Sequence, residues 1–484
     1  MSMITPPDWP SPKSRDGEAT APQKARFWYV GTLTYSASSL VTLFFWLLWG
    51  DFTWSMRDRA IGPVAQFLLV KLGASDTLMA TFLSSLPAAI GMLLGPAVSY
   101  CSDRHRGRWG RRIPFLLATA PIAALAMVGL TLSGTIGRSI HTILGLYSPD
   151  SSTLALLVFG CFWTCFECAA VVAGAVFSGL VNDVVPVQLL GRFYGLFRAL
   201  SLAAGIAFNY WLLGAAQRHV QWLFGAIAIL YGAGVMMMCF FVKEGQYPPP
   251  PDVETGHRKD IVTATTLYFK ECFSNPYYIW IFLAFAFSTI CFSPVNLYTV
   301  PYAQEMGVNM ATLGKYLALT YAISLVLAYP LGVLVDRYHP LPLSTIVLGL
   351  YALVSFWGWF DATTPHLFAV VLIAHGVASG TYFTVSSSLS QRLLPSATYA
   401  QFNSAAGVVG QLMSIIAGPA FGTILDLSGH DYRCTFLMNG ILTVLAFALM
   451  CVVFRQYARH GDVPPASPNC PAADGPLTAS SLDD

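Results

Sequence analysis

The sequence predicts an all-α polytopic membrane protein with about 12 transmembrane helices in two six-helix pseudo-repeats. Of its 484 residues, 55% are hydrophobic and 10% are charged, whereas about 25% of the residues in a soluble domain carry charge. Apolar runs near the roughly 20 residues that a helix needs to cross a bilayer recur along the chain. The two halves of the chain also repeat each other's polar signals. These three observations together predict the fold.

The spans follow from the apolar runs. We predict them at 43–70, 76–100, 113–133, 152–180, 192–214, 220–242, 278–303, 312–335, 342–361, 366–390, 400–425 and 434–454. A polar, proline-containing stretch after the sixth span divides the chain in two. The expected domains are a cytoplasmic tail at 1–27, a six-helix bundle at 28–242, a cytoplasmic linker at 243–272, a second six-helix bundle at 273–456 and a disordered cytoplasmic tail at 457–484.

The positions of Lys and Arg predict the orientation, because basic residues are enriched in cytoplasmic loops. Most of them fall in the two tails, in the linker and in loops that would share one side of the membrane. We place these loops near 104–112, 192–198, 337 and 392. We therefore expect a multi-pass protein of the cell (inner or plasma) membrane with both termini in the cytoplasm, and we expect a monomer.

An internal repeat supports the division into halves. Gly73 and Gly307 are 234 residues apart, and Asp103 and Asp336, which each precede an arginine, are 233 apart. Two halves in the same orientation, related by an axis along the membrane normal, are typical of carriers with a central site between the halves. The same offset places 45–69 against the apolar run 279–303, and therefore inside the membrane.

Composition and motifs exclude several other classes. The net charge of +2 leaves no basic surface for nucleic acid. The ten cysteines lie mostly in apolar runs and do not predict a disulfide framework. No metalloprotease, serine-hydrolase or nucleotide-binding motif is present, so we do not expect an enzyme or an ATP-driven pump. We expect no cofactor and no bound metal.

Two acidic residues inside apolar runs are candidates for coupling transport to an ion. An ionisable group inside the membrane is costly, so its default interpretation is functional. Glu167 has no basic neighbour in its run and can take up and release a proton; the alternative is a neutral glutamic acid that is hydrogen-bonded to a neighbouring helix. We assign Asp51, in the first span, to the same role.

Charged residues beside Asp51 are candidates for substrate binding. Asp58 is seven residues after Asp51 and therefore shares its helix face. It is flanked by Arg57 and Arg59, and a carboxylate and a guanidinium in a dry cavity can bind hydroxyl groups. The alternative is a salt-bridge cluster on the outer surface.

Trp54, Asn296 and His375 complete the predicted substrate site. An aromatic face such as that of Trp54 can stack on a sugar ring, but tryptophan also marks membrane interfaces. His375 lies beside Gly376, the repeat counterpart of Glu167. For His375, a buried neutral histidine remains the alternative to a ligand contact.

A basic loop between the second and third spans predicts a gate. It reads Ser102-Asp-Arg-His-Arg-Gly-Arg-Trp-Gly-Arg-Arg-Ile-Pro-Phe115. Its carboxylate and arginines can latch the helix ends in one conformation and release them in another; the same positive charge also sets the topology. The predicted gating residues are Asp103, Arg104, Gly110, Arg111, Arg112, Arg192, Asp336 and Arg337.

This loop resembles the loop between helices two and three of the major facilitator superfamily. Its Arg-Trp-Gly-Arg-Arg form is similar to the glycoside–pentoside–hexuronide cation symporters and the sucrose–proton symporters. The sucrose symporters carry a membrane Asp sixteen residues before a second Asp, and here Glu167 stands sixteen before Asp183. The resemblance therefore implies a proton-coupling carboxyl at Glu167. Where those symporters have an arginine implicated in sugar binding, this chain has Ser178, so either Arg57 supplies the cation or the substrate differs.

The predicted function is secondary active transport by alternating access. We expect a symporter that couples H⁺, or Na⁺, to a small-molecule substrate, a sugar or glycoside. The alternative is a proton-coupled exporter or a carrier of another small organic solute.

Overall fold

The computed structural model describes residues 27–145, 149–247, 266, 268–395 and 398–460. Most of the predicted linker at 243–272 and nearly all of the two predicted tails lie outside these residues. The predicted division into bundles therefore concerns the helices on either side of the linker.

The first half begins with a hairpin, β1 (Trp28–Val30) and β2 (Leu33–Tyr35), and continues as helices. These are α1 (Ala37–Lys71), α2 (Asp76–Arg104, with a π-helical stretch at Thr81–Ser85), α3 (Ile113–Leu144), α4 (Ser151–Val184), α5 (Val187–Ala207, followed by a π-helical stretch at Phe208–Leu212) and α6 (Leu213–Phe241).

The second half begins with a broken helix. Its elements are α7 (Pro276–Ile290), α8 (Ser293–Leu297), α9 (Thr299–Glu305), α10 (Met310–Arg337), α11 (Pro340–Asp361), α12 (Pro365–Val385), α13 (Leu389–Leu393), α14 (Tyr399–Leu427) and α15 (Cys434–His460).

Ten helical stretches of the described residues are long and apolar enough to cross a membrane. One of them, Val187–Phe241, has 55 residues and would be about 80 Å long as one straight helix. Its backbone breaks at His219 (φ −133°, ψ 43°), which divides it into two crossings. Helix α1 has 35 residues but is less apolar, because charged side chains lie inside it. With α1 included, twelve helical crossings lie within the described residues, and the predicted all-α polytopic membrane fold is confirmed.

The structure corrects two local predictions. The sequence predicts no strand, but the aromatic and β-branched residues around Gly31 (φ +54°) form the β1–β2 hairpin, because such residues favour strands and the glycine permits the turn. The predicted loop at 192–198 is wrong, since α5 begins at Val187, directly after Pro186. Proline is favoured where a helix starts and its missing N–H is not needed there.

The bundle has two ends, which we name by the helices. The near end carries the β1–β2 hairpin, the start of α1 and the end of α2; the far end is where α1 ends and α2 begins. One buried apolar cluster fills the first half and continues into the second half through far-end residues such as Val300, Phe368 and Phe421. A second cluster, around Tyr278 and Phe402, belongs to the second half alone. The two halves therefore share a core at the far end.

Glycines allow the halves to approach closely at the far end. A Cβ atom at Gly422 of α14 would lie 2.3 Å from the Cα atom of Thr77 in α2, and one at Gly314 of α10 would lie 2.1 Å from the Asn209 carbonyl oxygen. Small residues at such positions let helix backbones meet in membranes, where packing rather than hydrophobic burial drives association.

A carboxylate from the second half also caps a first-half helix at this end. Asp426 accepts hydrogen bonds from the backbone N–H groups of Asp76 (2.9 Å) and Thr77 (3.0 Å) and from the Thr77 hydroxyl (2.6 Å). The first N–H groups of a helix lack partners within the helix, and its dipole favours a negative charge there. The backbone N–H groups at the start of α2 therefore find some of their hydrogen-bond acceptors in the other half.

We expect Gly422→Ala to open the far end. The added methyl group meets backbone, which cannot move aside, so the halves cannot close as they do here. Thr77 and Thr423 have hydroxyl oxygens 3.3 Å apart, so a Thr77→Cys/Thr423→Cys pair reports closure by disulfide formation in a background without the native cysteines.

The disulfide yield should fall severalfold in Gly422→Ala. The matched control is Gly407→Ala on the same helix, where nothing lies within 4 Å of the new Cβ atom; it should leave the yield unchanged. An equal yield in all three proteins would contradict the role given to Gly422.

Candidate functional site

A cavity of about 330 Å³ lies between the two halves, near the middle of the helices. Its polar lining comes from both halves. The lining residues are Ile61, Gly62, Gln66, Leu83, Ser84, Pro87, Trp163, Glu167, Ser293, Asn296 and Leu297. The structure thus brings together two residues of the predicted site, Glu167 and Asn296, that are far apart in sequence.

Glu167 reaches this cavity from α4 and is partly exposed to it. Among the described residues, its carboxyl group forms no hydrogen bond and no ion pair. One turn earlier, the Trp163 indole N–H donates to the Phe82 carbonyl oxygen (2.7 Å) and fixes α4 against α2. The result is a carboxyl group that its helix holds at the wall of the cavity.

Arg57 is buried in the first half behind Glu167. Its side chain is 2% exposed, and its guanidinium carbon lies 4.1 Å from the ring centre of Trp54, 4.8 Å from that of Tyr231 and 5.4 Å from that of Phe166. The predicted alternative of a cluster on the outer surface is wrong for Arg57, because aromatic faces enclose its cation inside the bundle. Trp54 is part of that enclosure.

Asp58 and Asp51 differ in their surroundings. Asp58 pairs with Arg57 (3.3 Å), although its own side chain is 58% exposed. Asp51 is completely buried, accepts one hydrogen bond from the Ser55 hydroxyl (3.4 Å) and has a second oxygen without a partner among the described residues. Neither carboxylate is part of the cavity lining around Glu167.

A chain of buried hydrogen bonds runs from the cavity into the second half. The Asn296 side-chain oxygen lies 3.1 Å from His375 Nε2, and His375 Nδ1 lies 2.7 Å from the Tyr351 hydroxyl. Asn439 in turn donates to that hydroxyl (2.6 Å). His375 is 2% exposed and reaches the cavity only through Asn296, so it is a buried histidine that orients a cavity residue.

Gln66 is a site residue that the sequence analysis missed. Its amide donates to the Asn296 carbonyl oxygen (2.9 Å) and accepts from the Val300 N–H (3.0 Å). These backbone groups lie where α8 and α9 break the seventh crossing, and a broken helix leaves such groups without helical partners. Gln66 and Val300 are 234 residues apart, which is the repeat offset. That spacing is the sequence feature that could have indicated their contact.

At the near end, the predicted gating residues form a cluster within the first half. Asp183 binds Arg111 (2.6 Å) and Arg112 (2.7 Å), and Arg112 also binds Asp103 (2.8 Å). Arg112 lies against Gly179, where a Cβ atom would be 2.3 Å from its guanidinium carbon. The cluster thus joins the ends of α2, α3 and α4.

Glu244, which the sequence analysis also missed, caps α3. Its carboxylate accepts from the backbone N–H groups of Arg111 (2.9 Å), Arg112 (2.9 Å) and Ile113 (2.8 Å). The approach requires Gly110, which has φ +104° and would place a Cβ atom 2.6 Å from the Glu244 side chain. The glycine is therefore needed both for its backbone conformation and for space.

The remaining predicted gating residues lie apart from this cluster. Arg104 stacks on Tyr100 (3.6 Å to the ring centre), and Arg192 lines a separate near-end cavity beside the β1–β2 hairpin. Asp336 and Arg337 are exposed, and in the described part of the chain no ion pair involves them. The structure therefore does not bring the two repeat-related aspartates, Asp103 and Asp336, into one latch.

The far end carries a polar cluster that joins the halves. Asp76 lies 2.6 Å from His430 Nδ1 and accepts from the Tyr432 hydroxyl (3.1 Å), and the Tyr298 hydroxyl donates to the Asp76 carbonyl oxygen (2.8 Å). The hydrogen bond to Asp76 raises the pKa of His430, and the charges of Asp76, Asp426 and Glu305 act in the same direction.

Three residues of this cluster are of the types that bind metal ions, although the sequence predicts no metal site. One ligand atom from each of Asp76, Asp426 and His430 lies within 4.8 Å of the others, a spacing that a cation could bridge. The Asp426 oxygens already accept helix N–H groups, and Asp76 is already paired with His430.

Comparison with known proteins places the chain among transporters. The model of the Major Facilitator Superfamily matches residues 142–418 and 341–479. Solute carrier family 45 member 4 from Mus musculus is 27% identical over 215 residues, which are 42% of this chain. The matched segment spans only 26% of that relative's length.

Solved structures share the fold at low sequence identity. A bacterial homologue of the iron transporter ferroportin, in its inward-facing state, has a TM-score of 0.62, 16% identity and coverage of 86% of this chain and 99% of that chain. In its outward-facing state with soaked iron the TM-score is 0.52, at 15% identity and coverage of 86% and 98%. A D-xylose–proton symporter has a TM-score of 0.58, 15% identity and coverage of 85% and 96%.

We expect the near-end carboxylates to differ in their contribution to stability. Asp183 holds two guanidinium groups and is 13% exposed, whereas Asp103 is 52% exposed. Asp183→Asn should lower the free energy of unfolding by about 2 kcal/mol, less than the roughly 3–5 kcal/mol for breaking a fully buried pair. Asp103→Asn should cost less than about 1 kcal/mol. Thermal unfolding of the purified protein checks this order, with Asp336→Asn as the control; a larger effect of Asp103→Asn would contradict it.

We expect closure of the far end to depend on pH through His430. Because the pKa of His430 is raised when the end is closed, the stabilisation is fully present below its ordinary pKa near 6.5 and is lost as the pH rises through the raised value. His430→Gln should remove that dependence. His366→Gln, an exposed histidine at the same end, is the matched control.

The Thr77→Cys/Thr423→Cys disulfide also measures this effect. Thiol reactivity changes with pH by itself, so the informative quantity is the yield in His430→Gln divided by the yield in the parent at each pH. This ratio should be lowest at acidic pH and approach one at alkaline pH. A ratio that does not change with pH would show that His430 does not control closure.

Proposed function

Because the chain belongs to the Major Facilitator Superfamily, we propose that it is a secondary active transporter that couples H⁺, or Na⁺, to the symport of a sugar or glycoside. The two halves would alternate in exposing the central cavity to either side of the membrane. In this account the protein catalyses no chemical reaction and needs no cofactor, since the gradient of the coupling ion drives transport.

One observation carries the coupling proposal: Glu167 lines the cavity between the halves without an ion pair in the described residues. A carboxyl group in such a place costs several kcal/mol to keep charged. It is therefore easily protonated when the cavity is empty of water and easily deprotonated when the cavity is wet. A group whose charge changes with access to water is suited to link proton movement to the conformational cycle.

The far-end contacts support alternating access. Asp426 and the glycines of α10 and α14 hold the halves together at that end, and the named contacts of the near-end cluster stay within the first half. The arginine-rich segment between α2 and α3 lies at the near end, and basic residues are enriched on the cytoplasmic side of membrane proteins. We accordingly assign the near end, and both termini, to the cytoplasm of a cell-membrane protein.

The cavity chemistry supports a hydroxylated solute. Gln66, Asn296 and two serines offer neutral donors and acceptors, and the Trp163 ring offers an apolar face. Sugars present this combination of hydroxyl groups and apolar ring faces. The relatives include a protein named as a xylose–proton symporter, which agrees with both the substrate class and the ion. We propose that a monomer is the working unit, because each chain holds both halves of the cavity.

We expect Glu167→Gln to abolish uphill accumulation while leaving exchange partly intact. The amide can still form hydrogen bonds in the cavity, but it cannot carry a proton through the cycle. The experiment measures uptake of labelled sugars into proteoliposomes under an imposed H⁺ or Na⁺ gradient, and counterflow without a gradient.

Cys165→Ser, on an exposed face of the same helix, is the matched control and should behave as the parent. Accumulation driven normally by the gradient in Glu167→Gln would refute the coupling role. The gradient that drives the parent identifies the ion, and its direction relative to uptake separates a symporter from an exporter.

A further inference from the structure

A second arginine of α1 lies at a three-helix junction outside the cavity lining. Arg59 donates to the Tyr321 hydroxyl of α10 (3.0 Å) and to the Ser201 hydroxyl of α5 (3.2 Å), and its guanidinium carbon is 4.7 Å from the Tyr321 ring centre. Its Nε atom is buried and has no partner in the described residues. Arg59 therefore stands where α1 and α5 of the first half meet the second half.

Another arginine shares this junction. Arg198 is three residues before Ser201 on α5 and therefore lies on the same helix face. Gly205, one turn further along that face, leaves room for Arg59, since a Cβ atom there would lie 3.4 Å from Arg59 Nε and 3.4 Å from the Tyr321 ring. The charges of Arg59 and Arg198 are close enough to act on each other. Two arginines thus lie along one face of α5.

No carboxylate forms an ion pair with Arg59 or Arg198 among the described residues. The hydrogen-bond partners of Arg59 are two hydroxyl groups, and Arg198 has no ion pair in the same part of the chain. The Asp51 charge reaches Arg59, but its carboxylate is bonded to Ser55 instead. Asp58 pairs with Arg57. Like charges that converge at membrane depth are costly unless an anion joins them.

From this convergence we propose that Arg59 and Arg198 bind an anionic oxygen group of the transported solute. The preferred cargo is then an acidic sugar or glycoside that carries a carboxylate, phosphate or sulfate. This inference rests on the proposed transport function and adds the charge of the substrate to it. Guanidinium groups suit such a ligand, because their paired N–H donors match the oxygens of a carboxylate or phosphate.

The position of the pair also couples the anion to the conformational cycle. Arg59 and Arg198 belong to the first half, and Tyr321 belongs to the second. Rocking of the halves changes the distance from Tyr321 to the two arginines, while the anion remains on the first half. The hydroxylated part of the solute can meanwhile contact Gln66 and Asn296 in the cavity.

The test measures binding directly, so that it does not depend on coupling. D-Glucuronate, D-glucose 6-phosphate, D-glucose 6-sulfate and neutral D-glucose are titrated into the purified protein in nanodiscs, with calorimetry as the readout. We expect at least one acidic probe to bind about tenfold or more tightly than glucose, and the probe that binds best distinguishes the three oxygen groups.

Variants assign the preference to the pair. Arg198→Gln and Arg59→Gln should each reduce the preference for the acidic probe by about tenfold, whereas Arg198→Lys, which keeps the charge, should lose less. Arg218→Gln, an exposed arginine of α6, is the control and should keep it. Because Arg198 is exposed, its variants should fold normally. They therefore test the proposal even if Arg59→Gln fails to fold.

Equal binding of acidic and neutral probes, no binding of any probe, or an unchanged acid preference in both glutamine variants would overturn the proposal. Failure of the proposed function has a different signature. In that case Glu167→Gln accumulates substrate normally, while the preference for acidic probes persists in the parent and is lost in Arg198→Gln.

Discussion

A charged side chain inside a membrane must be paired, enclosed by polarisable groups or wet, and this constraint explains the arrangement of the first half. Arg57 is enclosed by three aromatic rings and pairs with the Asp58 carboxylate. Glu167 lies at the wall of the central cavity, where water can reach its carboxyl group. Helix α1, which carries Asp51, Arg57, Asp58 and Arg59, borders the cavity, α5 and the second half.

The second dependence is close contact between the halves at the far end. Gly422 and Gly314 bring helix backbones together, and Asp426 supplies hydrogen bonds to the start of α2. The Asp426 hydrogen bonds are polar, and the glycine contacts are close approaches of helix backbones. The apolar core that the halves share at the far end adds to closure. The near-end cluster around Asp183, by contrast, holds one half together and does not by itself join the two.

Much of the fold could be predicted from the sequence, because apolar length and the repeat are properties of the chain alone. They located the spans and placed Glu167 inside α4. The site was harder, since Gln66, Glu244 and Asp426 act on backbone groups far away in sequence, and only the packing of helices reveals those partners. Arg198 was taken for a residue of a cytoplasmic loop because a basic residue near a predicted span end fits that interpretation equally well. The break of the seventh crossing near Asn296 has no apolar-pattern signal.

The central claim is that the charge on Glu167 sets the balance between two arrangements of the halves. Spin-label distances test it most directly, with one pair at the far end (Lys71 and Asp361) and one at the near end (Arg192 and Arg392), all exposed positions. The measurement compares each pair in the parent and in Glu167→Gln, in lipid nanodiscs. The account predicts two distances for each pair, and a change in their proportions in Glu167→Gln that has opposite sense at the two ends. Distances that are unchanged at both ends, or that change in the same sense, would contradict it.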